Sequence, residues 1–281
     1  MSFSKDVKEE LFALIPKSRH CMVAELAGIF LMQNIEEFKN ASDDALNRKV
    51  FTLLNKTLNI GKDATKLSVE DYKDIRQMVK LSGDETRVDE IVLQQLCCKR
   101  SFIRGAFLAA GSLSDPNKGY HFEIVCATDI QAAQISKAMN TFEVDAKIVA
   151  RNGKSVVYLK EGAQIVEILR VMEAAHSVME LENIRVVKEV RGRINRKVNC
   201  ETANISKTVN TAVRQIEDIN LIEEKIGLDS LPVQLQDIAQ VRLDYPDLPL
   251  GSLGQYLDPP IGKSGVNHRL KKLAKIAEDL R

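Results

Sequence analysis

The sequence predicts an α+β fold followed by a separate all-α domain. Three observations carry the prediction. Phe102–Leu113 (FIRGAFLAAGSL) and Ala24–Asn34 (AELAGIFLMQN) mix small residues with large apolar ones. Such a face lets two helix backbones lie close together. Tyr120–Lys160 then alternates β-rich segments with an amphipathic helix and holds an Asn152-Gly153 turn, the strongest short hairpin signal. Leu231–Arg281 is helical again, punctuated by prolines.

The composition suits a soluble globular chain. It has 281 residues, 44% hydrophobic and 28% charged, enough for two domains. No apolar run approaches the roughly 18 residues of a membrane helix. The first residues, MSFSKDVKEELFALIPKS, show helical amphipathicity and no signal-peptide core. The five cysteines, Cys21, Cys97, Cys98, Cys126 and Cys200, have no CxxC spacing. They read as separate thiols of a reducing cytoplasm, with neither a disulfide framework nor a metal site. Net charge is only +1, but it is uneven. Residues 1–90 lean acidic, while 182–214 and 262–281 carry basic clusters that an anionic polymer would feel locally.

In chain order, Phe3–Ile15 reads as a helix stopped by Pro16, and His20–Gln33 as the first small-residue helix. Ser42 or Asp43 is placed to cap the next helix, Ala45–Leu58. Residues 59–90 are polar, with a helix at Val69–Val79 and no strand. The central helix is expected to end at Gly111 in a left-handed cap. Tyr120–Ala127 is a strand. Asp129–Phe142 is a helix capped by Asp129, Asp145–Ala150 and Ser155–Lys160 form the hairpin, and Glu161–Val171 is a helix. Ser177–Ile226 is helical, with a break expected near Val198–Thr202, where Asn199 and Thr202 can restart a helix. Ser230 and Pro232 open a helix holding Leu235, Ile238, Ala239 and Arg242. Tyr245–Pro249 stops it, and Leu250, Leu253, Tyr256 and Leu257 make a short second helix. Asp258–Lys263 is a stiff turn. Ser264 is expected to cap a last helix whose Val266, Leu270, Leu273, Ala277 and Leu280 form one apolar stripe.

That last helix carries the most informative site. A short helix, a turn and a second helix with a basic polar face make a helix-turn-helix pattern, whose second helix enters the major groove. Lys263, Asn267, His268, Arg269, Lys271, Lys272 and Lys275 are the candidate DNA-binding residues, with Ser264 offering backbone N–H groups to a phosphate. Lysines neutralise phosphates and Asn or Arg can read bases. The alternatives are a solvated helix face and a surface that docks RNA polymerase or another regulator. The six-residue turn is longer than the usual three to four. Arg191, Arg193, Arg196 and Lys197 are either phosphate contacts or a solvated face, the latter being common on long helices. His20, His121 and His176 are scattered without ligand spacing. No GxSxG, HExxH or Walker lysine occurs. The expected protein is no enzyme and uses no cofactor.

FIRGAFLAAGSL and AELAGIFLMQN resemble the signature helices of LAGLIDADG homing endonucleases. That resemblance implies two helices packed at a pseudo-two-fold axis, each followed by strands, a helix and a hairpin. It also implies an acidic metal ligand near the base of each helix. The matching positions are Gln33 and Ala110, which cannot replace carboxylates on a hard cation. More narrowly, KRSFIRGAFLAAGSLSDP, RKVNCETANISKTVNTAVRQIEDI and GKSGVNHRLKKLAKIAEDLR resemble the WhiA family of sporulation and cell-division regulators. The resemblance implies a degenerate LAGLIDADG-like domain with a reduced first half, followed by a helix-turn-helix domain. Its expected parts are 1–90 (reduced first half), 91–176 (second half), 177–226 (basic helical linker) and 227–281 (helix-turn-helix). It implies a bacterial cytoplasmic protein of the nucleoid, bound to double-stranded DNA without nuclease activity. Cell division, chromosome segregation and sporulation would be its context.

Overall fold

A computed structural model describes residues 2–34, 44–61, 66–81 and 87–281. Two units divide the chain, Met1–Glu189 and Val190–Arg281.

The first unit forms around two helices, α2 (Arg19–Met32) and α5 (Leu96–Ala110). Their backbones nearly touch. A Cβ on Gly105 would lie 2.2 Å from the Glu25 carbonyl oxygen, and one on Gly28 would lie 2.4 Å from that of Phe102. Only glycine permits this approach, so the small-residue pattern sets the crossing. Helix α1 (Phe3–Ala13) and α3 (Asp44–Leu58) cover one side, with Val7, Leu11, Val50 and Leu53 fully buried. Helix α4 (Val69–Met78) opens on a Ser68–Asp71 capping box. The Ser42 and Asp43 caps lie outside the described residues. Between residues 44 and 90, the only β pairing among the described residues is an isolated bridge, Leu81 to Val88.

After α5 the expected half-domain follows. Strands β1 (Gly111–Leu113), β2 (Phe122–Cys126), β3 (Lys147–Arg151) and β4 (Lys154–Leu159) form an antiparallel sheet ordered β1-β2-β4-β3. Helices α6 (Asp129–Asn140) and α7 (Gly162–Val171) accompany it. Asn152 and Gly153 both take positive φ, as their turn requires. Phe122, Ile124 and Leu159 face the core.

Several local expectations are corrected. Gly111 ends α5 in an extended conformation (φ −90°, ψ 156°) and not a left-handed one. The chain passes straight into β1, where Gly111 pairs with Ile124 and Leu113 with Phe122. Glycine is required because a Cβ would sit 2.1 Å from the Phe107 ring. Thr128, not Asp129, caps α6. Its hydroxyl accepts from the Gln131 N–H and the Gln131 carboxamide returns the bond, a reciprocal pair that a first-turn Asp129 cannot make.

Helix α8 runs unbroken from Ala175 to Ile226, so the break near Val198–Thr202 does not occur. Farther along the same helix, hydroxyls bond back to it and start no new one: Thr208 donates to the Asn204 carbonyl and Thr211 to that of Lys207. In the second unit α8 is followed by a 3-10 turn, Leu228–Ser230, then α9 (Val233–Asp244). Ser230 belongs to that turn, its hydroxyl donating to the Gly227 carbonyl at 2.7 Å. Pro232 itself takes the N-cap position, its carbonyl accepting from Leu235 and Gln236.

Candidate nucleic-acid interface

Three helical pieces build the C-terminal site: α9, the short α10 (Leu250–Leu253) extended by a 3-10 turn Gly254–Tyr256, and α11 (Lys263–Leu280). Leu235, Ile238 and Ala239 of α9 and Leu253 and Leu257 meet Val266, Leu270, Leu273 and Ala277 of α11 in one core, to which α8 adds Ile219 and Ile222. This is the apolar stripe expected of α11, spaced three and four residues apart.

Two contacts set the loops. The buried Arg242 donates to the carbonyls of Pro246 (3.2 Å) and Leu248 (2.9 Å), tying the proline-rich stop to the end of α9. Burial lowers its pKa from the ordinary arginine value. A Cβ on Gly254 would lie 2.0 Å from the Ile261 carbonyl oxygen, while the Ile261 N–H donates to the Gly254 carbonyl at 2.9 Å. The long turn is therefore closed across its base and delivers α11 at a defined start.

Helix α11 begins at Lys263 with Gly262 as its N-cap. Ser264 is thus not the cap expected. The Gly262 carbonyl already takes the Val266 N–H at 3.1 Å, leaving Ser264 exposed in the first turn. At about 100° per residue, Ser264, His268, Lys271 and Lys275 share one stripe opposite the core, flanked by Asn267 and Lys272. All but the half-buried Asn267 are exposed, as is Lys263. Arg269 is not part of this face. It is half-buried on the other flank and donates to the Gln234 carbonyl of α9 at 3.4 Å. Far back on α8, Arg191, Arg193, Arg196 and Lys197 are exposed.

The LAGLIDADG-like helices end where metal ligands would be required. Gln33 is the C-cap of α2 and Ala110 is the last residue of α5. The Gln33 side-chain oxygen is buried without a hydrogen-bond partner, and Ala110 offers no ligand atom. These positions do not fit a hard divalent cation, which needs carboxylate oxygens. A buried charge cluster lies elsewhere in the pair. Glu25 of α2 meets Lys49 at 2.7 Å and Arg104 at 2.9 Å, all three buried. Arg104 also reaches Glu173 and the Met172 carbonyl. Burial acts to lower the Arg104 pKa, but Glu25 and Glu173 outweigh it and raise it. Burial lowers that of Lys49 against the opposing Glu25 charge.

Residues 99–191 match the family described as WhiA LAGLIDADG-like domain, and residues 194–277 match the WhiA C-terminal HTH domain. The chain belongs to the WhiA family. "Probable cell division protein WhiA" of Lachnoclostridium phytofermentans is 48% identical, with all of both chains covered. The WhiA relative of Clostridium beijerinckii, named likewise, is 41% identical over 100% of this chain and 99% of its own. The crystal structure of full-length DUF199/WhiA from Thermatoga maritima is similar, with TM-score 0.57, 27% identity and 99% of each chain covered. The WhiA architecture, a LAGLIDADG-like domain followed by a helix-turn-helix domain, is the one described above. Among the described residues no helix is long and apolar enough to cross a membrane.

One grouping in this WhiA chain was not visible in the spacing of thiols and histidines: it takes in His20 and three of the five cysteines, with His121, His176, Cys126 and Cys200 outside it. His20 and Cys21 open α2, Cys97 and Cys98 open α5, and the helix pairing brings the four together. Burial first, then the neighbouring thiols, pushes Cys98 up to about 12. Neither pair forms a ligand motif by itself. The signal was two adjacent-ligand pairs at equivalent places on two similar helices.

Proposed function

We propose that this chain is a sequence-specific, non-enzymatic DNA-binding regulator of cell division, with α11 as its recognition helix. One observation carries the reading: the exposed Ser264, His268, Lys271 and Lys275 stripe lies opposite the buried stripe of a helix-turn-helix. Lys263, Lys271, Lys272 and Lys275 contact phosphates, Asn267 and His268 reach base edges, and first-turn N–H groups near Ser264 meet a phosphate. Arg269 positions α11 against α9 in place of reading bases. Arg191, Arg193, Arg196 and Lys197 add phosphate contacts. The names of its relatives supply the cell-division context, and the resemblance to regulators of sporulation and chromosome segregation extends the proposal to those processes. Loss of the carboxylates at Gln33 and Ala110 supports binding without cleavage.

The test is a gel-shift titration on genomic fragments at several salt concentrations. The affinity should fall with salt at a slope of about −0.9 per phosphate contact. Asn267→Ala should chiefly relax sequence preference, by about 1–3 kcal/mol of discrimination at one base pair. Salt-independent binding, untouched by substitutions on α11, would falsify this reading. Capture of RNA polymerase that survives nuclease treatment, with no affinity for DNA alone, would assign the face to a protein partner.

A further inference from the structure

We propose that His20, Cys21, Cys97 and Cys98 form a structural zinc site clamping α2 to α5, at the opposite end of the helix pair from Gln33 and Ala110. The ligand atoms of all four residues lie within 4.8 Å of one another. His20 Nδ1 is 3.1 Å from Cys98 Sγ, 3.4 Å from Cys21 Sγ and 4.0 Å from Cys97 Sγ. Tetrahedral zinc, with bonds of about 2.3 Å to sulfur and about 2.0–2.1 Å to nitrogen, requires edges of about 3.6–3.8 Å. The three spacings from His20 straddle that value, each within about half an ångström of it, and the 4.8 Å limit on the sulfurs leaves at most about one ångström to close.

The donor set selects the ion. Three thiolates and an imidazole suit zinc and exclude magnesium and calcium, which take oxygen ligands. Four protein ligands close the coordination sphere, so the site holds structure and performs no hydrolysis. On zinc binding the three thiols give up their protons, leaving one net negative charge with a neutral imidazole. That charge sits at the first turns of α2 and α5, where the exposed N–H groups are partially positive. Arg19 and Lys80 line the adjoining cleft of about 510 Å³ and add positive charge. Cys21 and Cys98 are buried, whereas Cys97 and His20 reach the surface, so an ion enters from the cleft side without unfolding the pair.

The experiment uses the reduced, chelator-stripped full chain, with zinc or cobalt added. Cys97 and Cys200 are both exposed, and Cys200 is an internal control on α8. Stoichiometric zinc should slow alkylation of Cys97 at least about tenfold, because a metal-bound thiolate is withdrawn as a nucleophile. Alkylation of Cys200 should be unchanged. Cobalt should give the intense visible bands of tetrahedral thiolate coordination, and zinc should raise the melting temperature. The double variant His20→Asn with Cys97→Ser changes the two surface ligands and leaves the buried thiols. It should lose the bands and the stabilisation while keeping the circular dichroism of the parent. Equal slowing of Cys97 and Cys200, no slowing of either, or only weak octahedral cobalt absorption in the parent would overturn the proposal. The alkylation arm needs no variant, so a misfolded variant does not blur the outcome.

Discussion

Helices α5 and α11 are similar amphipathic rods, of 15 and 18 residues, yet they use their cations in opposite ways. On α5, Arg104 is 1% exposed and bound to Glu25, Glu173 and a carbonyl. On α11, Lys271, Lys272 and Lys275 are exposed opposite a buried apolar stripe. Residues 101–108 of α5 are all buried, and a charge in such a segment must be neutralised internally, because an unpaired buried ion is too costly. A helix with one open side can leave its cations to a polyanion. The difference teaches that burial, more than composition, decides whether a basic residue holds a fold together or offers a surface.

The comparison breaks most sharply at Arg104. Arg104→Ala removes one of the two cations paired with the buried Glu25, together with the bonds to Glu173 and the Met172 carbonyl, and should cost about 3–5 kcal/mol, read by denaturant unfolding. Gly105→Ala acts on the same pair by steric means. Its Cβ would meet the Glu25 carbonyl at 2.2 Å, and the forced separation should cost about 1–3 kcal/mol. Lys271→Ala with Lys272→Ala should do the converse. The melting temperature should hold, because these side chains face solvent, while the DNA salt slope shrinks by about 1.8 for two lost contacts. A double variant that melts early while keeping its salt slope would erase the distinction between the two helices.

The smallest effect concerns Glu123 on the outer face of the sheet. Burial alone would raise its pKa, but hydrogen bonds from His121, Arg151 and Ser112 outweigh it and hold the carboxyl below its ordinary value of 4.5. Its contribution is therefore present above the unfolded glutamate value and lost as pH falls through the lower folded value. Glu123→Gln should flatten that acid limb by less than about 1 kcal/mol, since the network is partly solvated. Thermal melts between neutral and acid pH would measure it.

Much of this was legible in the residues. Gly28 and Gly105 announced a close helix pair, Asn152-Gly153 announced its hairpin, and the stripe from Val266 to Ala277 announced the buried side of α11. Such patterns are local and periodic, so one segment suffices to read them. The caps were harder. Asp129, Ser230 and Ser264 are all good capping residues, but the helix start is chosen by where the preceding chain arrives, one or two residues away. The uninterrupted α8 was hidden for a related reason: Asn199 and Thr202 permit a cap without requiring one.

The sequence by itself determined the close helix pair, the hairpin, the buried stripe of α11, the family likeness and the absence of carboxylates at Gln33 and Ala110, because each depends on residue identity at a position. Only the tertiary structure decided which polar groups meet. Arg269 and Lys271 are two residues apart in the same basic run, yet one is turned to the Gln234 carbonyl and the other to solvent. His20, Cys21, Cys97 and Cys98 became one cluster because α2 and α5 start side by side. Contacts across about 80 residues follow from packing geometry, and no short-range periodicity encodes them.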